Sequence, residues 1–326
     1  MTEATLRVEN LRTHFFTRQG VVKAVEDVSF SVGPGRILGL VGESGSGKSV
    51  TGYSIMGLVD PPGRVLAGRI LLRGRDLRAL APEAMRRVRG NRIAMIFQDP
   101  MMSLNPVLRV ETQMVETIQA HADVGRAAAI ERARDALARV GIPAPAERVS
   151  AYPHQFSGGM RQRVAIAIAL LNQPDLIIAD EPTTALDVTI QGQILFEMQK
   201  LARESGTALI WITHDLSVIA GLADDVCVMY AGRIVEQGSV DQMLDAPLHP
   251  YTHGLIASVP SRSRKGEPLR QIPGITPSLL DPAPGCAFRE RCTRADGACA
   301  QDPALSSPGP GRQVRCFHPL TRTGVR

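Results

Sequence analysis

Between residues 6 and 41 apolar and polar positions alternate with a period of two: Leu6-Arg7-Val8-Glu9-Asn10-Leu11, then Val28-Ser29-Phe30-Ser31-Val32. With Gly33-Pro34-Gly35 as a turn, this alternation predicts half-buried strands of an antiparallel sheet. Ile37-Leu38-Gly39-Leu40-Val41 then breaks it with an unbroken apolar run, the signature of a strand covered on both faces. A second such strand spans Arg92 to Phe97. From about residue 99 to 160 the pattern becomes helical and Ala/Arg-rich, clearest over Arg126 to Val140, and predicts a helical insertion. Buried strands return at Asp175–Asp180 and Ala208–Thr213. Between them Ile190, Ile194, Met198 and Leu201 fall at helical spacing, the crossover that parallel strands require. Val226–Tyr230 and Gly232–Glu236 predict a hairpin, and Ser239-Val240-Asp241-Gln242 has the form of a capping box ahead of a short helix.

After Ser258 the composition shifts. Proline and glycine are frequent from Pro260 to Gly285, and Cys286, Cys292, Cys299 and Cys316 follow, four of the five cysteines in the chain. The expected organisation is a main α/β domain over residues 1–258 and an extension over 259–326, with no internal repeat. Hydrophobic residues make up 44% of 326, enough for a large core. No apolar stretch approaches the ~18–20 residues of a membrane span. The longest, Val164 to Leu171, follows charged Arg161 and Arg163. The segment Met1-Thr2-Glu3-Ala4-Thr5-Leu6-Arg7 lacks the basic and apolar regions of a secretory signal, so a cytoplasmic chain is expected. The net charge of +5 is compatible with an anionic membrane surface. Arginine is dispersed without like-charge blocks or interleaved aromatics, so nucleic acid is not an expected partner.

The chemistry begins directly after the first buried strand. Gly42-Glu43-Ser44-Gly45-Ser46-Gly47-Lys48-Ser49 is a complete G-x-x-x-x-G-K-[ST] string, followed by a segment from Ser49 to Leu58 that can open as a helix. Gly42, Gly45 and Gly47 leave backbone N–H groups free to converge on phosphate oxygens, and a helix N-terminus adds partial positive charge. Lys48 supplies charge for the β/γ-phosphates, and the Ser49 hydroxyl is placed to ligate Mg²⁺. A nucleoside triphosphate is the expected ligand. Leu176-Ile177-Ile178-Ala179-Asp180-Glu181 is a buried strand that ends in two carboxylates. Asp180 suits a Mg²⁺-directed role, and Glu181 can orient and deprotonate a water. Phe156-Ser157-Gly158-Gly159-Met160-Arg161-Gln162-Arg163 opens another helix with unhindered amides, a second anion site that points to a separate protomer.

The order of GESGSGKS, Gln98, FSGGM, LIIADE, Ala185-Leu186-Asp187 and His214 resembles the nucleotide-binding subunit of ATP-binding cassette (ABC) transporters over residues 6–245. The resemblance implies a P-loop NTPase of ABC type, with an antiparallel β-subdomain, a helical insertion and a Cys/Pro-rich C-terminal extension. It implies ATP held by Gly42, Ser44, Gly45, Ser46, Gly47, Lys48, Ser49 and Val50, with Mg²⁺ ligated by Ser49, Gln98 and Asp180. Gln98 would sense the γ-phosphate, and Ser157, Gly158 and Gly159 would contact ATP held by the opposite protomer. Asp187 would shape the dimer interface, His214 would grip the γ-phosphate, and Phe15, or its neighbour Phe16, would stack on adenine.

The phosphate loop, the FSGGMRQR signature, Glu181-Pro182-Thr183-Thr184-Ala185-Leu186-Asp187-Val188-Thr189 and His249-Pro250-Tyr251-Thr252 resemble, more narrowly, the first ATPase subunit of bacterial dipeptide/oligopeptide importers. This implies ATP-driven peptide import from the cytoplasmic face of the membrane. The implied partners are a second, non-identical ATPase subunit, two permease subunits and an extracytoplasmic solute-binding protein. A nickel or other solute importer, an export ATPase and a soluble ABC ATPase acting on nucleic acid or ribosomes are the alternatives. Met160 departs from the glutamine commonest in ABC signatures. The extension's spacing, C-x5-C-x6-C-x16-C, lacks the paired C-x2-C of most zinc sites, and a cytoplasmic chain disfavours disulfides. Four thiolates suit a [4Fe-4S] cluster, as the family's extension also suggests; unbound thiols and zinc stay open. His318 reads as a loop residue and Cys227, in an apolar strand, as core packing.

Overall fold

The computed structural model describes residues 3–183, 186–259, 270–280 and 282–321, apart from the Met102 side chain. Thr184 and Ala185 of the motif following Glu181 lie outside the described residues, as does the segment 260–269. Along the chain come β1 (Leu6–Thr17), β2 (Gly20–Val32), β3 (Ile37–Val41), α1 (Lys48–Met56), β4 (Gly63–Leu72), β5 (Arg75–Asp76), α2 (Pro82–Val88) and β6 (Ile93–Ile96). The helices α3 (Pro100–Ser103), α4 (Val110–Gln119), α5 (Arg126–Arg139), α6 (Pro145–Arg148) and α7 (Gly158–Leu170) follow. Then come β7 (Leu176–Asp180), α8 (Val188–Ser205), β8 (Ala208–Thr213), α9 (Leu216–Leu222), β9 (Asp225–Tyr230) and β10 (Arg233–Ser239). The series ends with α10 (Val240–Asp245), α11 (Pro250–Ala257), β11 (Ser306–Gly309) and β12 (Arg312–Val314).

Two compact units emerge. One contains Val32–Arg36 and Ala79–Ile210, and the other contains Leu6–Ser31, Ile37–Arg78 and the chain from Trp211 onward. In the first unit, β6 and β7 pair in parallel with Ile93 opposite Leu176. Every residue of β7 is buried, as its unbroken apolar run predicts. The insertion is helical as expected: α5 turns Ala129, Ala133 and Leu137 inward at every fourth position, and α4 turns in Val110, Met114, Val115 and Ile118. Arg163 on α7 is buried, yet its donors are satisfied by the carbonyls of Val140 (3.2 Å) and Gly141 (2.9 Å) and by Gln193 Oε1 (2.5 Å). On α8 the buried stripe is Ile194, Met198 and Ala202, so Ala202 takes the place expected of Leu201.

In the second unit, β1 lies between β2 and β4, and β4 continues to β5, giving an antiparallel sheet. The strand β4 has no counterpart in the sequence reading. Its alternation is interrupted at Gly68 (φ 99°), where a Cβ would meet the Glu9 carbonyl at 2.6 Å opposite a bulge in β1. The strand β3 pairs in parallel with β9, which forms the expected hairpin with β10. The capping box of α10 is present, with Ser239 Oγ accepting from Gln242 N (3.2 Å) and Gln242 Oε1 from Ser239 N (3.1 Å).

The extension belongs to this same unit. Its β12 pairs with β10, Glu236 opposite Val314, and Lys23 N donates to the Leu279 carbonyl at 2.9 Å. Phe288, Cys299, Val314 and Leu320 are buried. Glu236 has no exposed surface; its carboxylate accepts from Leu248 N (2.8 Å), His249 N (2.8 Å) and Arg312 (2.8 Å). A buried charge with its lone pairs filled by a guanidinium and two amides meets the condition for burial.

Candidate nucleotide site

The phosphate loop lies in the second unit, between β3 and α1. Gly47 is the N-cap of α1 and contributes no side chain, so the first-turn amides carry no side-chain cap. It has φ 101°, and a Cβ there would lie 2.2 Å from the Ala24 carbonyl oxygen, so only glycine fits without displacing backbone. Gly45 also has a positive φ (77°), but faces open space. Ser46 is fully buried and its hydroxyl has no hydrogen-bond partner among the described residues. Lys48, 5% exposed, donates to the carbonyls of Gly42 (2.8 Å) and Glu43 (3.0 Å). These residues fit a phosphate tail: an uncapped helix N-terminus, an open glycine and an ammonium group in one turn.

In this unit Phe15 and Phe16 sit near the end of β1. Phe15 lies opposite Gly63 and its ring fills the space over that glycine, 2.6 Å from where a Cβ would be. Phe16 is 44% exposed and the Arg64 guanidinium lies 5.8 Å from its ring centroid. His214 follows β8 and is exposed; next to it, Asp215 caps α9 by accepting from Ser217 N at 2.8 Å.

The remaining sequence-predicted residues lie in the first unit. Asp180 ends β7 and is buried. Glu181 follows with φ 45°, a left-handed conformation that costs a non-glycine residue about 1–2 kcal/mol. Gln98, just past β6, donates through Nε2 to Glu181 Oε2 at 3.4 Å, so the structure brings these two together. Ser157 is the N-cap of α7, its Oγ accepting from Met160 N at 3.3 Å, and a Cβ on Gly158 would meet nothing. Asp187 caps α8, accepting from Ile190 N at 2.9 Å, and α8 exposes Val188 and Phe196.

One loop residue went unremarked in the sequence because the motif accepts any side chain there. The Glu43 carboxylate receives Arg291 twice (2.6 and 3.0 Å) and Thr276 Oγ1 (3.1 Å), and its N–H donates to Tyr251 OH at 2.9 Å. The hydrogen-bonded Arg291 guanidinium holds the Glu43 carboxyl below the usual carboxylate range. Tyr251 is placed by His249, whose Nδ1 accepts from Tyr251 N (3.0 Å) as the N-cap of α11. Burial pushes the His249 pKa down to about 3, so the ring is neutral and that nitrogen can accept.

In the extension, burial raises the thiols of Cys286 and Cys292, and Cys316 to about 11 with Cys286, Cys292 and Cys299 nearby. One tight donor set among the described residues is Asp296, Cys299 and His318, whose ligand atoms lie within 4.8 Å of one another. His318 is paired with Asp296 at 2.9 Å. Cys227 is buried in β9, as expected.

Residues 25–184 match the family described as ABC transporter, and residues 235–299 match the C-terminal region of oligopeptide/dipeptide transporters. The dipeptide transport ATP-binding protein DppD of Escherichia coli is 46% identical over 98% of both chains. The chain is a peptide-importer-type ABC ATP-binding protein. The oligopeptide transport ATP-binding protein OppD of E. coli is 47% identical over 98% of this chain and 94% of its own. A probable peptide ABC transporter ATP-binding protein of Sinorhizobium fredii is 50% identical over 96% and 94%. Among solved structures, the dimeric ABC transporter cassette MJ0796 aligns with a TM-score of 0.66 at 25% identity, covering 72% of this chain and 98% of that one. This peptide-importer-type ATP-binding protein has the ABC cassette fold that its sequence predicts. Among its described residues, no helix is long and apolar enough to cross a membrane.

Proposed function

We propose that this chain is the ATP-hydrolysing subunit that powers peptide import through an ABC transporter, docked on the membrane rather than inserted in it. One observation carries this reading: an uncapped helix N-terminus directly behind a complete phosphate-loop string, in a chain matched nearly end to end by proteins named for dipeptide and oligopeptide transport. Residues 42–50 would hold the phosphates of ATP, with Lys48 neutralising the β/γ-phosphates. Ser49, Gln98 and Asp180 would ligate Mg²⁺, which supplies charge stabilisation on the phosphoryl oxygens. Glu181 would take the proton of the attacking water, and Gln98, hydrogen-bonded to it, would report the γ-phosphate to a permease. His214 would hold that phosphate, and an aromatic ring at Phe15 or Phe16 would stack on adenine. The exposed face of Phe16 favours Phe16.

Ser157, Gly158 and Gly159 would contact the nucleotide of a second, non-identical ATPase subunit, with Asp187 at the shared face. Exposed Val188 and Phe196 beside it support a face that a partner covers. Two permease subunits and an extracytoplasmic binding protein complete the assembly. Cys286, Cys292, Cys299 and Cys316 would hold a [4Fe-4S] cluster, since four thiolates are the ligand set such a cluster takes.

Glu181→Gln tests the reading. The variant should bind ATP, accumulate a closed dimer and lose about 10²–10⁴ in turnover. Wild-type-like turnover would remove Glu181 from its role as the base.

A further inference from the structure

Every polar group of Glu43 is assigned. Its N–H goes to Tyr251, its carboxylate to Arg291 and Thr276, and its carbonyl accepts from Lys48 Nζ at 3.0 Å and from Ser46 N at 3.2 Å. Three of these five partners come from beyond residue 250, and the other two belong to the phosphate loop itself. Arg291 is fixed independently of Glu43: Nε donates to the Pro273 carbonyl at 2.8 Å and Nη1 to Tyr230 OH at 3.3 Å. Its guanidinium also lies 5.8 Å from the Tyr230 ring centroid and 5.9 Å from that of Phe288. The Arg291 side chain is 5% exposed and that of Glu43 27%. A bidentate pair between a planar fork and a carboxylate fixes direction as well as distance, which a lone ammonium would not.

We propose that Arg291 is a positioning residue for the nucleotide site: by clamping Glu43 together with Tyr251 and Thr276, it sets the first turn of the phosphate loop and the Lys48 ammonium held there. The extension thereby tunes ATP affinity. This rests on the reading of residues 42–50 as the ATP site. A tail anchor would need only some carboxylate on the surface of the cassette. This one lies inside the phosphate loop, and its backbone carbonyl holds the phosphate-binding lysine.

The test uses the full-length chain assembled with its transporter partners, reading MgATP affinity, KM and kcat together with thermal stability. Arg291→Ala should raise Kd and KM for ATP about tenfold with kcat within about twofold, because the loop is displaced while the reacting groups are untouched. Arg291→Lys should recover part of that loss. Glu43→Gln should resemble Arg291→Ala, and the double variant should be no worse than either single one, as for residues acting through one pair. If Arg291→Ala melts earlier but binds ATP like wild type, the residue is an anchor and the proposal falls. Should that variant not fold, Thr276→Val removes one bond to the same carboxylate without changing charge. A Kd raised about twofold or more supports the clamp, and an unchanged one overturns it. Lys48→Ala separates the two ideas: if it binds ATP normally, the site reading fails. If it loses ATP while Arg291→Ala does not, only the clamp fails.

Discussion

Replacing Gly45 or Gly47 by alanine separates two costs that the loop motif confounds. Both residues have positive φ, 77° and 101°. At Gly45 the added Cβ meets nothing, so the cost is the left-handed backbone alone, about 1–2 kcal/mol. At Gly47 the same strain applies and the Cβ also falls 2.2 Å from the Ala24 carbonyl oxygen, deep inside van der Waals contact. Ala24 is 4% exposed within β2, so relief requires moving a packed strand or α1 itself, an overpacking cost of about 1–3 kcal/mol. The expected losses are thus about 1–2 kcal/mol for Gly45→Ala and about 2–5 kcal/mol for Gly47→Ala. At roughly 2–4 °C per kcal/mol, calorimetry without nucleotide should show a shift of about 2–8 °C for the first and about 4–20 °C for the second. Working without ATP keeps loss of phosphate contacts out of the comparison. Equal shifts, or a larger one for Gly45→Ala, would refute the reasoning.

Two further outcomes are expected. His249 stays neutral in the folded chain down to a pKa of about 3, against 6.5 when unfolded, so between those values the unfolded state binds the extra proton. Stability at this site is complete above 6.5 and declines as pH falls, by up to about 1.4 kcal/mol per pH unit. His249→Gln should flatten that decline in urea melts at stepped pH, and an unchanged slope would place it elsewhere. Anaerobic purification followed by iron and acid-labile sulfide analysis should find both in the wild type and neither after Cys299→Ser, and their absence from the wild type would exclude the cluster.

The phosphate loop and the acidic end of β7 were legible because their chemistry dictates residue types at short spacing: glycines where backbone must approach a ligand, a lysine beside them, and carboxylates closing an apolar run. The parallel strands were legible for a similar reason, since burial on both faces leaves an unbroken apolar string. The strand β4 was not, because Gly68 and the bulge across from it interrupt the alternation that marks a strand. Nor was Ala202 in place of Leu201, since helical spacing gives a stripe but not its edge. The pairing of Glu43 with Arg291 spans 248 residues, and no local pattern in one chain can announce it. The frequent proline and glycine from Pro260 to Gly285 mark the extension's start but say nothing of what it buries. It does bury Phe288, Val314 and Leu320, but within a unit whose other members lie far upstream.

The carboxylate of Glu236 shows why that tail cannot be treated as an accessory. Its counter-ion, Arg312, arrives only near the end of the chain. A polypeptide stopped at residue 258 would leave an anion sealed in β10 with two amides and no cation, and would bare the edge that β12 covers. Expressing the cassette alone would therefore yield a weakened, self-associating fragment. Exchanging tails between related ATPases succeeds only where the donor brings its own arginine to this spot.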